Sequence, residues 1–301
     1  MQFVTFEQNN RQYVGVFTLD QQHIVPLNTA EQCLAGTAMI PMSMMDIICA
    51  GSELMPVIQQ VVEKALCDQS ILIAVSDVAL LAPIPRPAKN IFCIGKNYQE
   101  HAFEFEKTRD ESVLPKYPVV FSKPPTCVIG PNAKVKRHAE FVSQLDYEVE
   151  LGVIIGKKGS RIQKENAYDY IFGYTIINDV TARDLQKNHM QWLMGKGPDT
   201  FAPMGPCIVH KSAVPNPHDL HIQAAINGEI RQNSNTKDMI FDIPTILATI
   251  SSVITLEPGD IIATGTPAGV GVGFIPPKFL KSGDVMELEI SGIGKLINVI
   301  E

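Results

Sequence analysis

A chain of 301 residues with 45% hydrophobic and 19% charged side chains has room for about two globular domains and a large buried core. Its net charge of −7 and scattered lysines exclude a basic nucleic-acid-binding face. The six cysteines form no CxxC pair and read as reduced core residues, no apolar run is long enough to span a bilayer, and residues 1–7 lack a secretory pattern, so the expected compartment is the cytoplasm.

Residues 2–27 read as short strands with turns at Asn9-Asn10 and Asp20-Gln21. Between 43 and 67, Met44, Met45, Ile48, Leu54, Val57, Val61 and Val62 recur at helical spacing, and the methionines suit core filling better than a cofactor box. The proline-rich run 81–87 sustains neither helix nor central strand, so the predicted boundary separates a small α+β domain (1–82) from a catalytic domain (83–301). In the latter, the apolar runs 91–94, 119–121, 153–155 and 261–263 are short and broken by Gly and Pro. That pattern predicts a β-rich α+β fold and not a doubly wound sheet.

In chain order, the first candidate chemistry is Gly95-Lys96-Asn97-Tyr98-Gln99-Glu100-His101-Ala102-Phe103-Glu104. A short helix after Asn97 puts His101 and Glu104 on one face, where the carboxylate can orient the imidazole for proton transfer; a surface pair without catalytic role has the same spacing. The charged stretch 103–112 that follows is either a lid that orders over bound ligand or a mobile surface loop.

The segment 145–156 opens with acids at every second position. As one strand it turns Asp146, Glu148 and Glu150 to one face, where their repulsion fits a bound cation or a solvated outer face. A second strand, 173–180, ends in Asn178-Asp179, well placed to face a cleft. No nucleotide loop survives inspection: 156–160 lacks the Walker spacing, and Pro267 interrupts the glycine-rich run 265–273. That second loop still offers backbone N–H groups, with the Thr264 and Thr266 hydroxyls, to a ligand carboxylate, or it is simply a tight turn between strands.

Gly95-Lys96-Asn97-Tyr98 with His101, Phe121-Ser122-Lys123-Pro124, Asp146 to Leu151, Asn178 to Gln186 and Gly259 to Pro267 occur in the order found in the fumarylacetoacetate hydrolase family, which the chain resembles from about Pro83 onward. The resemblance implies the family's mixed β fold, a homodimer, and Mg²⁺ or Mn²⁺ held by Glu148, Glu150 and Asp179. Oxygen-only ligation agrees with a hard cation, zinc being disfavoured by the missing His and Cys ligands. Asp146 is not a ligand in the family pattern and takes a supporting part. By the same resemblance, His101 backed by Glu104 moves protons, Lys196 in Met194-Gly195-Lys196-Gly197 is the active-site lysine, and Arg183 and Gln186 hold substrate. Thr266 and Lys123 are further substrate-binding candidates; Lys123 matches a family motif but ranks below Lys196, since a lysine before Pro124 also suits a solvated loop. Pro198, where many relatives carry an aromatic residue, puts the shape of the pocket wall in question.

What the resemblance implies in function is an enzyme that cleaves a C–C bond in a small keto acid, by acylpyruvate-type hydrolysis or oxaloacetate decarboxylation, with a metal stabilising the enolate. A tautomerase or isomerase of oxaloacetate or hydroxymuconate type uses the same chemistry without cleavage. The length and the run 276–284 resemble bacterial members linked to oxaloacetate. A different class, a scaffold that kept the fold without catalysis, is disfavoured because every residue type needed for the metal and the His–Glu pair is present. The N-terminal domain either supports dimerisation or caps the catalytic domain.

Overall fold

The computed structural model describes all 301 residues. It begins with an antiparallel hairpin, Gln2–Gln8 with Arg11–Phe17, running from Phe3 opposite Val16 to Gln8 opposite Arg11. Both turn residues, Asn9 (φ 53°) and Asn10 (φ 60°), take the left-handed conformation that a two-residue hairpin needs and asparagine tolerates. The helix-spaced stretch 43–67 forms two helices. Met44–Ala50 starts at Ser43, whose hydroxyl accepts from the Asp46 N–H, and stops where Gly51 turns to φ 61°; Met55–Ala65 then resumes. Met44, Ile48, Leu54 and Val61 are buried, with Met45, Val57 and Val62 packed beside them.

All six cysteines are free thiols, but only Cys93, Cys127 and Cys207 are buried. The expectation of core cysteines fails for Cys33, Cys49 and Cys67, which lie exposed on or just past N-terminal helices. An apolar run in sequence does not make every helix face an inner one.

The principal sheet is mixed, and its main path runs Ile73–Ala74, His23–Pro26, Arg11–Phe17, Gln2–Gln8, Ala202–His210, Ile171–Asn178, Val149–Ile155, Ile261–Ala263, Ile91–Gly95, Val119–Lys123. All four short apolar runs picked out in the sequence fall in its strands. The N-terminal hairpin continues this sheet, with Gln2 opposite Val209 and Phe3 opposite Ile208. A second, five-stranded sheet is ordered Glu229–Asn235, His221–Ile226, Val285–Ile290, Gly294–Ile300, Lys134–Val135. Val149, Leu151 and Val153 share one core with Ile222, Leu288 and Leu296 of that sheet, leaving Glu150 on the opposite face of its strand. The result is the β-rich α+β architecture the sequence predicts.

The acidic segment departs from expectation. It is not one strand: Leu145–Asp146 pairs with Thr181–Ala182, the chain steps out at Tyr147 and Glu148, and Val149–Ile155 pairs with Ile171–Asn178. The step removes Asp146 from the alternation. Its carboxylate instead accepts from the Gly271 and Val272 amides at 2.6 and 3.0 Å and from Arg183 Nε at 2.8 Å.

Candidate active site

The register of the two central strands assembles the acids. Val149 lies opposite Asn178, the Asn178 side chain accepts from the Glu148 N–H at 3.1 Å, and the Asp179 N–H donates to the Glu148 carbonyl at 2.9 Å. Glu148, Glu150 and Asp179 therefore converge, each offering a carboxylate oxygen within 4.8 Å of the others, and all three are buried. No His or Cys joins them. Three buried carboxylates match the ligand set of a hard divalent cation.

Three cations surround the triad. Lys196 Nζ bridges Glu148 Oε2 (2.8 Å) and Asp179 Oδ2 (2.7 Å), and Arg183 Nη2 reaches Glu148 Oε1 at 2.7 Å. Lys123 is fully buried, donating to Asp179 Oδ1 at 2.6 Å and to the carbonyls of Val180 and Lys196. The solvated-loop alternative for Lys123 is excluded, and its ammonium is spent behind Asp179, outside the residues that line the cavity. Carboxylate oxygens carry more than one lone pair, so these contacts leave capacity for a metal ion.

Electrostatics differ sharply within the triad. Burial alone would raise the Glu148 carboxyl, but Lys196 and Arg183 more than offset it and hold it at about 2. For Glu150, burial first and then the neighbouring Asp179 and Glu148 carboxylates push the carboxyl well above the usual range, despite the Gly265 N–H donating to it at 2.8 Å. Burial works against the Lys196 ammonium, but Asp179 and Glu148 raise its pKa on balance. A divalent cation would relieve the repulsion felt at Glu150.

The helix Gln99–Glu106 carries the His–Glu pair as predicted. His101 is buried, with Nδ1 3.5 Å from Glu104 Oε2, a contact too long to count as a hydrogen bond. The glycine-rich loop supports the pair: the Gly269 N–H donates to both Glu104 oxygens at 3.1 Å, and a Cβ on Gly273 would stand 1.8 Å from Glu104 Oε1. The loop's amides are thus committed to the protein's own Glu104, Asp146 and Glu150. The Thr264 hydroxyl is also spent, on the Leu151 carbonyl at 2.9 Å, whereas Thr266 lines the cavity and accepts from Gln232 at 2.7 Å.

Arg183 and Gln186 lie on the short helix Arg183–Asn188, 3.2 Å apart through Nη1 and Oε1. The helix Leu193–Lys196 packs directly on it, since a Cβ at Gly195 would meet the Gln186 backbone at 2.6 Å. His101, Glu148, Glu150, Arg183, Gln186, Lys196 and Thr266 line one cavity. Sequence reasoning missed its remaining wall, which includes Lys96, Phe105, Phe121 and Trp192. Trp192 is the chain's single tryptophan and stands two residues before the Met194-Gly195-Lys196 motif, a signal the sequence did offer. Pro198 is not in the lining; Trp192 and Phe121, in edge contact at 5.2 Å, shape the wall. Asn97 was also passed over. It ties three loops together through the Thr264 carbonyl and both backbone groups of Phe241.

Fold and site together define a class: a β-rich fold whose buried triad of carboxylates, a ligand set suited to a hard cation, stands beside a His–Glu pair. The family described as Fumarylacetoacetate (FAA) hydrolase C-terminal matches residues 90–301. Oxaloacetate tautomerase YisK of Bacillus subtilis (strain 168) is 50% identical over 304 residues, covering 100% of both chains. Among solved structures, the fumarylacetoacetate hydrolase of Exiguobacterium antarcticum is 40% identical with a TM-score of 0.82, covering 100% of this chain and 99% of its own. The maleylpyruvate hydrolase of Sphingobium sp. SYK-6, in complex with manganese(II) and pyruvate, is 29% identical with a TM-score of 0.76, covering 100% and 98%. The chain belongs to the fumarylacetoacetate hydrolase family.

Proposed function

We propose that the protein is a divalent-metal-dependent enzyme acting on a small keto acid, and that its reaction is the keto–enol tautomerisation of oxaloacetate. The observation that carries the reading is the buried acidic triad, two of whose members, Glu148 and Glu150, line one cavity with Lys196, Arg183 and buried His101. The full-length similarity to an oxaloacetate tautomerase favours this reaction over the C–C cleavage first expected.

Glu148, Glu150 and Asp179 would hold Mg²⁺ or Mn²⁺, whose charge lowers the energy of negative charge developing on a keto oxygen. His101 takes the proton from the carbon next to the carbonyl and the imidazolium returns a proton to the keto oxygen, so His101 is regenerated, composition is unchanged and no water is consumed. Glu104, fixed by Gly269, places a negative charge 3.5 Å from the imidazole that receives the proton. Lys196 and Arg183 supply positive charge to the substrate carboxylate, Gln186 and Thr266 supply hydrogen bonds, and Lys123 positions Asp179.

The second reading, C–C cleavage by hydrolysis or decarboxylation, shares the metal and base but needs a further step. It is supported by similarity to the maleylpyruvate hydrolase. A panel of oxaloacetate, acetylpyruvate and fumarylpyruvate with Mg²⁺ or Mn²⁺ separates the two. Tautomerisation is read from the ultraviolet absorbance of the enol, cleavage from released pyruvate. Enol–keto exchange no faster than in buffer sinks the first reading.

A further inference from the structure

We propose that Lys96 reads a second carboxylate on the substrate, so that the cavity selects keto diacids over keto monoacids. This rests on the keto-acid reading above and adds to it the residue that sets the substrate class.

The cations lining the cavity are not equally free. Arg183 is committed to Asp146 and Glu148, and Lys196 to Glu148 and Asp179, partners whose side chains are at most 5% exposed. Removing either cation strands a buried charge. Lys96 is paired with Glu106, whose side chain is 37% exposed at the end of its helix. An exposed pair contributes little, and its carboxylate is readily rehydrated. Lys96 can therefore exchange Glu106 for a ligand carboxylate at small cost. Lys107 and Lys187 line only the outer cleft beyond Phe105 and Trp192.

The backbone at Lys96 is unusual. It takes φ 54°, a left-handed conformation that costs a lysine free energy and that its surroundings help to hold. They do so on both sides: a Cβ on Gly95 would stand 2.4 Å from the Trp192 ring, and Asn97 is pinned to Thr264 and Phe241. The ammonium is held 5.4 Å from the centre of the Phe105 ring, at the cavity wall. A keto acid's first carboxylate and keto oxygen are already accounted for at the triad and its lysine and arginine. A second carboxylate needs a cation of its own, and Lys96 is the one available.

The test uses the full chain with Mn²⁺ and reads equilibrium quenching of Trp192, which lines the same cavity, by oxaloacetate and by pyruvate. K96M is expected to weaken oxaloacetate about 10- to 100-fold and pyruvate less than about twofold. K96R should restore most of the oxaloacetate affinity. E106Q, which breaks the same ion pair but keeps the ammonium, should bind oxaloacetate at least as tightly as the parent. Equal losses for both ligands in K96M, no loss for either, or an E106Q as weak as K96M would each overturn the assignment. A parent protein that binds neither ligand would overturn the keto-acid reading itself and this assignment with it.

Discussion

Glu150 is the carboxylate with most to gain from a cation, and its protonation behaviour gives a signed prediction. Its raised folded-state pKa means that the folded chain holds the proton more tightly than the unfolded chain. That contribution is present below the ordinary value near 4.5 and is lost as pH rises toward the folded value. Glu148 is the opposite case: its contribution is present above 4.5 and lost as pH falls toward about 2. Glu150→Gln should therefore melt above the parent in the absence of metal, increasingly so as pH rises past 4.5. A chain of this length gains roughly 2–4 °C per kcal/mol. Adding Mn²⁺ should reverse the order, because only the parent gains the ion's stabilisation. Scanning calorimetry with and without Mn²⁺ decides it; a variant stabilised by Mn²⁺ as strongly as the parent would remove Glu150 from the ligand set. At His101, replacement by Asn is expected to lower turnover about 10²- to 10⁴-fold with Mn²⁺ affinity unchanged. Equal turnover would transfer the proton to another group.

Among the elements, the glycine-rich loop and the acidic strand show where sequence reasoning ends. Alternation made Glu150 legible because Val149–Ile155 is paired along its length with Ile171–Asn178, while Glu148, on the step before it, is brought alongside by its bonds to Asn178 and Asp179. The step at Tyr147 and Glu148 was not legible, since it depends on Leu145–Asp146 finding Thr181–Ala182, a partner 36 residues away. The loop's glycines were legible as close-approach positions, but what approaches them, Glu104 and Asp146, comes from distant segments. The wall residues Lys96 and Trp192 carry no periodic signal; each stands in or beside a motif, but only the fold shows that they face the same cavity. A Gly273→Ala substitution tests the loop: the new methyl group collides with Glu104 and should lower turnover about tenfold or more while leaving Mn²⁺ binding intact. The stretch 103–112 begins as the last turns of the helix Gln99–Glu106, and Phe105 lies against the cavity. If its remainder closes over ligand, oxalate with Mg²⁺ should slow proteolytic cleavage between 107 and 112. Unchanged cleavage would leave it a surface loop.

For the whole molecule, the shared sheet matters more than the proline run. Because Gln2–Gln8 pairs with Ala202–His210, deleting residues 1–82 bares a long central strand and the apolar contact of Phe3 with Phe172, whose ring centres are 5.6 Å apart. Exposed edges of that kind associate. The truncated chain should scatter light as aggregates, whereas the intact chain should give twice its own mass if the inferred homodimer forms. One further consequence belongs to Lys196. With its ammonium between Glu148 and Asp179, Lys123 behind Asp179, Arg183 on Glu148 and Asp146, and Glu150 driven toward its neutral form, the protein's own opposite charges at the site cancel. A fold balanced in this way should form before any ion is bound, so the chain prepared in chelator is expected to keep a cooperative melting transition.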